Sequence, residues 1–166
     1  CGPLANQRQV DRLLHNRGDG SFEDVSLASG IGVIPTKGLG IVTSDLDGDG
    51  RIDIYVARDN EENLLWLNQG DGTFGLAEFF EGGGENETSV FAADADGDGL
   101  LDLFVTCYGS DSVSVLRGTL TGGFVLVDSQ SVGSLPRDGL AGADAGAGDP
   151  DILPVPSSSA NTTRDP

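Results

Sequence analysis

Basic side chains are scarce in this 166-residue chain: nine Lys and Arg stand against 27 Asp and Glu, for a net charge of −18. Duplex nucleic acid is held by neutralising phosphates with Lys and Arg, so no nucleic-acid partner is expected. Histidine occurs once, which leaves little material for a Ser-His-Asp or Cys-His arrangement. The two cysteines, Cys1 and Cys107, make neither a disulfide framework nor a zinc site. Cys107 follows the apolar run Leu103-Phe104-Val105-Thr106 and reads as a buried free thiol. No apolar stretch approaches the ~20 residues of a membrane helix, so no membrane span is expected. A basic-then-apolar leader and an initial Met are also missing, and the chain reads as a fragment or a processed form. No segment has the pattern of an amphipathic helix of ten or more residues.

What is present in quantity is glycine and aspartate. Twenty-six glycines and seven prolines describe a chain that turns often. The acids lie in a repeat. Ser44-Asp45-Leu46-Asp47-Gly48-Asp49-Gly50-Arg51-Ile52-Asp53-Ile54-Tyr55-Val56 returns, 49 positions on, as Ala93-Asp94-Ala95-Asp96-Gly97-Asp98-Gly99-Leu100-Leu101-Asp102-Leu103-Phe104-Val105. A second element, Asn16-Arg17-Gly18-Asp19-Gly20-Ser21-Phe22, returns 52 positions on as Asn68-Gln69-Gly70-Asp71-Gly72-Thr73-Phe74. Worn copies of each occur at 118–124 and 144–151. The period of about 50 sets units at roughly 1–38, 39–86 and 87–137, a degenerate unit at 138–153, and a tail at 154–166 expected to be disordered.

Each unit reads as four short strands. Strands are expected over 39–44, 52–57, 63–67 and 73–79, with Ile52, Ile54 and Val56 on one face and Asp53 and Tyr55 on the other. Four strands at a period of 40–50 mark the blade of a β-propeller. The fold class expected is all-β, with propeller-type four-stranded blades amounting to about three blade-equivalents, a partial propeller. Phe22, Phe74 and Phe124 recur with the unit, which predicts a packing role. Tyr55 and Trp66 lie in strands and are expected in the core or between blades.

The acidic turns predict two calcium sites. Carboxylates occupy loop positions 1, 3, 5 and 9: Asp45, Asp47, Asp49 and Asp53, then Asp94, Asp96, Asp98 and Asp102. One like-charge pair at ~4 Å costs about 1–4 kcal/mol, so such a cluster calls for a counter-ion. Calcium takes 6–8 oxygens at 2.3–2.6 Å, which alternate residues of a tight loop can supply. Position 7, Arg51 or Leu100, is expected to offer its backbone carbonyl. An EF-hand is excluded, because its twelfth position is a bidentate Glu between helices, whereas Val56 and Val105 stand there within β-rich flanks. In the third copy Gly146 and Gly148 replace two of the acids, and that site is expected to be dead.

These motifs, with Asp11-Arg12-Leu13-Leu14-His15-Asn16-Arg17-Gly18-Asp19-Gly20-Ser21-Phe22-Glu23-Asp24-Val25, Lys37-Gly38-Leu39-Gly40 and the leading Cys1-Gly2-Pro3, resemble the FG-GAP/VCBS repeats of integrin α-type propellers. The strongest resemblance is to secreted acidic cartilage proteins and bacterial relatives that carry ASPIC/UnbV domains. It covers residues 1 to about 127. The resemblance implies an exported protein, secreted, extracellular, or periplasmic or cell-surface if bacterial, with Ca²⁺ in the blade loops and a protein or matrix partner in adhesion or scaffolding. No enzyme is implied. The alternative reading is a glycan-binding propeller, or the non-catalytic part of a carbohydrate-active enzyme. Arg17-Gly18-Asp19 spells an adhesion tripeptide, yet its matched repeat is Gln69-Gly70-Asp71, so Gly-Asp belongs to the turn. Asn86 and Asn161 begin glycosylation sequons.

Overall fold

The computed structural model describes residues 7–132, 138–143 and 150–155 of the chain. Its strands are β1 (Gln9–Val10), β2 (Leu14–Asn16), β3 (Phe22–Asp24), β4 (Pro35–Thr36), β5 (Gly38–Ser44), β6 (Asp53–Arg58) and β7 (Asn63–Trp66). They continue as β8 (Glu78–Phe80), β9 (Glu87–Ala93), β10 (Asp102–Cys107), β11 (Ser112–Gly118), β12 (Phe124–Ser131), β13 (Asp138–Ala143) and β14 (Pro150–Val155). A single 3-10 turn, Ile31–Val33, is the only helical segment among the described residues.

Two complete four-stranded antiparallel sheets, β5-β6-β7-β8 and β9-β10-β11-β12, are the two blades expected from the repeat. The expected all-β, propeller-type architecture is therefore what the chain adopts. Each sheet is a simple meander, because every strand pairs with its neighbours in sequence. The two-stranded pairs β2-β3 and β13-β14 flank the blades in the chain, and β1 pairs with β4.

Alternation along β6 directs its side chains into two different cores. Ile54 and Val56 join Leu64, Trp66 and Ile31 on one side. Tyr55 and Ala57 face the other blade with Leu65, meeting Val90, Leu103, Val105 and Cys107. The strand alternates as predicted, with one difference at its start. Ile52 lies before the strand, in the last part of the acidic turn, and is exposed.

The fourth strand is shorter than the pattern suggested. It runs over Glu78–Phe80, and the residues before it meet the segment that follows β7 through an isolated bridge between Asn68 and Phe74. The Phe74 N–H instead donates to the Ser29 carbonyl at 2.8 Å, drawing this segment toward the preceding unit and out of the ladder.

The repeated phenylalanines divide according to what stands beside them. Phe124 is 7% exposed and packs edge-on against Tyr55 and Phe80, each at 5.8 Å between ring centroids, tying the second blade to the first. Phe74 is half-buried against the Ile31 cluster. Phe22 is 61% exposed, because no blade among the described residues packs over the β2-β3 hairpin. Edge-to-face aromatic pairs contribute ~0.5–1.5 kcal/mol each beyond their burial. Phe124→Leu, which keeps the apolar bulk and loses both ring contacts, is expected to lower stability by about 1–2 kcal/mol in urea denaturation. Unchanged stability would deny those contacts a role between blades.

Candidate metal centres

Both acidic loops connect the first and second strands of a blade and share one backbone scheme. Asp45 accepts from the Gly48 N–H at 2.9 Å with one oxygen and from the Gly50 N–H at 2.9 Å with the other. Asp94 does the same with Gly97 at 2.8 Å and Gly99 at 3.0 Å. Asp47 and Asp49 each accept from the N–H two residues on, as do Asp96 and Asp98. These Asx-type bonds curl the loop so that alternate carboxylates point inward. Gly48 and Gly50, with φ of 78° and 86°, carry the left-handed turns that the curl needs, as do Gly97 and Gly99.

The ninth-position residues sit deepest. Asp53 and Asp102 are buried, and each accepts two backbone hydrogen bonds. Asp53 takes one from Leu46 in its own loop and one from Asn68 just after the third strand, both at 2.9 Å. Asp102 takes the matching pair from Ala95 and Gly118, also at 2.9 Å. Each clamps the acidic loop to the far hairpin of its blade. Sequence spacing marks these residues as candidate ligands; their clamping contacts come from chain segments 15 and 16 residues away.

Carboxylate oxygens of Asp45, Asp47 and Asp49 lie within 4.8 Å of one another, and so do those of Asp94, Asp96 and Asp102. Two oxygens bound to one calcium ion at 2.3–2.6 Å are no more than about 5.2 Å apart. Three oxygens of each loop therefore already fit around a common ion. The first loop brings together positions 1, 3 and 5, and the second brings together positions 1, 3 and 9. Asp53 and Asp98 stand outside these triplets.

Burial raises the Asp47 carboxyl above its ordinary pKa, and the charges of Asp53, Asp49 and Asp45 push the same way against the hydrogen bond from the Asp49 N–H. A cation among them would reverse those repulsions. One arginine partly offsets each loop. Arg51 pairs with Asp49, and Arg117, from β11, reaches Asp96 at 3.1 Å. Arg51 was visible inside the motif. Arg117 was not, because 21 positions separate it from Asp96 and only the folding of the meander brings it close. The third acidic stretch, at 144–149, lies outside the described residues.

The FG-GAP-like repeat family matches residues 4–56 and again 45–105, and both intact acidic loops fall within these matches. The chain belongs to the FG-GAP-like repeat family. Part of the chain is similar to part of cartilage acidic protein 1 from Homo sapiens, 34% identical over 62 residues, which is 37% of this chain and 9% of that protein. Cartilage acidic protein 1 from Xenopus tropicalis is 31% identical over 62 residues, 37% of this chain and 10% of that protein. The matched region spans about a tenth of the length of these relatives. Among the described residues no helix is long and apolar enough to cross a membrane.

Other sequence features occupy defined places in the FG-GAP repeats. In the Arg17-Gly18-Asp19 turn, Arg17 is paired with Glu23 at 2.8 Å and Asp19 accepts from the Ser21 N–H and hydroxyl. Both ends of the tripeptide are thus engaged locally. Asn86 accepts from the Asn60 amide at 2.9 Å, and its own amide nitrogen packs against Gly109. Tyr55 and Trp66 are both buried, so neither offers a face for a sugar to stack on. His15 pairs in β2 opposite Glu23. Cys107 is a buried free thiol, as its surroundings in the sequence predicted, and burial raises its pKa. Cys1 and Asn161 lie outside the described residues.

Proposed function

We propose that this chain is a calcium-binding propeller module of an exported protein, serving adhesion, matrix or protein-interaction scaffolding. The observation that carries the reading is the repetition of one hydrogen-bond scheme in two loops, each of which gathers three carboxylates within the span of a single ion. The ligands assigned are the carboxylates of Asp45, Asp47, Asp49 and Asp53 with the Arg51 carbonyl, and those of Asp94, Asp96, Asp98 and Asp102 with the Leu100 carbonyl. Bound calcium supplies positive charge that locks each turn and thereby holds the first two strands of a blade in register. The role is structural, and nothing in it requires a reaction.

An extracellular setting suits such sites, since extracellular calcium modules bind at about 10⁻⁴–10⁻³ M. Relatives named for cartilage support that setting. Blades held in this way present their connecting loops as a rigid surface to a protein or matrix partner, which is how repeat scaffolds commonly bind.

Equilibrium dialysis at millimolar Ca²⁺ is expected to recover two ions per chain. Asp47→Asn and Asp96→Asn should each remove one, because an amide offers a single neutral oxygen where the carboxylate carried charge. Recovery of no metal by the folded chain would refute the assignment.

A further inference from the structure

At one point the repeat puts matched residues in unequal surroundings. Ile41 in β5 and Val90 in β9 are 49 positions apart, the spacing of the acidic loops. Val90 is 7% exposed, in the core between the two blades, whereas Ile41 is 64% exposed. β5 stands against β9, and the approach is close: a Cβ on Gly40 would come within 3.0 Å of the Ser89 Cα. Gly40 and Val42 face that neighbour, so alternation sends Leu39 and Ile41 to the opposite side of β5. There they line an open cavity of about 260 Å³ with Leu13, Ile31, Val56 and Trp66.

The repeat also defines what belongs in such a place. β5, β9 and β13 are the first strands of successive units, each leading into an acidic stretch. Their pairing with the strand after that stretch begins in the same way, with Ser44 opposite Asp53, Ala93 opposite Asp102 and Ala143 opposite Pro150. β5 lies against β9, and β9 lies against β13. Among the described residues no first strand stands before β5 and none after β13. One side of β5 and one side of β13 are thus left without the neighbour that the repeat supplies elsewhere. The outer strands show the same complementarity. β2 and β3 flank the Asn16–Phe22 turn, which matches Asn68–Phe74 and so holds the place of third and fourth strands. β13 and β14 hold the place of first and second.

We propose that the occupant of the cavity is β13 of a second copy of this chain, packed on Leu39 and Ile41 as β5 is packed on β9. The number of copies follows from closure. Each copy brings three first strands, and closed propellers hold about four to eight blades. One copy is too few and three are too many, so two copies close the ring. A two-fold axis then makes the same pair of faces meet twice, and no open face is left to extend into a filament. In this ring β2-β3 of each copy shares a unit with β13-β14 of the other. The inference requires neither the metal nor a foreign partner.

The test is light scattering of the calcium-replete chain at tens of micromolar, read against the 17.1 kDa of one copy. Twice that mass is expected. Ile41→Glu places a charge where the second copy packs and should return the mass to that of one copy. Ile41 is exposed within a single copy, so this variant should keep the parent's circular dichroism. Ile41→Val should retain the doubled mass. Hydrogen exchange identifies the segment that docks: amides of 138–143 should exchange at least about tenfold more slowly in the parent than in Ile41→Glu. A parent with the mass of one copy, a ladder of larger species, a doubled mass retained by Ile41→Glu, or equal exchange over 138–143 would overturn the proposal. Failure of the calcium assignment appears separately, in metal stoichiometry.

Discussion

Chelating calcium from the folded chain is expected to lower its melting temperature by about 10–20 °C. An ion that binds only the folded state stabilises it by about 2.7 kcal/mol when present at 100 times its Kd, so two loops together contribute about 5 kcal/mol. For a chain of this size each kcal/mol moves the midpoint by about 2–4 °C. The effect should be large because each loop concentrates four carboxylates and has one arginine to offset them. Without calcium, the hydrogen bonds of Asp45 and Asp53 must hold the turn against the repulsion of their neighbours. Scanning calorimetry in millimolar Ca²⁺ and in EGTA makes the comparison. Coincident melts would show that the aspartates are held by backbone donors alone and that the acidic loops are ordinary Asp-Gly turns.

The second large effect is a dependence on pH that belongs to Glu87. Burial lifts its carboxyl from about 4.5 to about 7, with the Asn63 amide and the Arg58 guanidinium acting in the opposite direction. The other groups around it are Tyr55 and Cys107, both of which burial pushes upward, so neither is charged near neutrality. The folded chain therefore holds this proton more tightly than the unfolded chain does. Stability from Glu87 is complete below pH 4.5 and declines as the pH rises through 7, by up to about 3 kcal/mol. Glu87→Gln imitates the neutral acid without titrating. Urea denaturation across pH 4–8 should give a variant indistinguishable from the parent at the acid end and more stable by about 3 kcal/mol at the alkaline end. A constant difference between the two would mean that Glu87 does not titrate in this window.

The opposite sign holds for Glu61, whose carboxyl falls below its ordinary value because the hydrogen bonds and charges of Arg58 and Arg8 together outweigh the burial that raises it. Its contribution is present above the unfolded pKa and is lost in acid. The two glutamates thus act in different pH ranges, and comparing variant with parent isolates Glu87 from the acid denaturation common to the other carboxylates.

Much of the architecture was legible before any coordinates. The repeat of Asp45–Val56 at Asp94–Val105 and the alternation of Ile54, Tyr55 and Val56 are local patterns, and local patterns set strand direction and turn chemistry. The two blades and the two acidic loops followed from them. The fourth strand was less legible, because the Phe74 N–H is taken by the Ser29 carbonyl, a partner 45 positions away in sequence. Phe22 was misjudged for a similar reason: recurrence predicts that a position packs, but burial depends on whether a neighbouring blade is present.

The sequence by itself determined the period, the meander of short strands and the placing of four aspartates in each of two turns, since these depend on residues within a few positions of one another. Only the tertiary structure decided that Asp53 and Asp102 are buried clamps, that Arg117 reaches the second loop, and that Glu87 is buried beside Asn63. Each of those outcomes depends on segments that the chain order separates. Close packing, rather than local preference, is what brings them together.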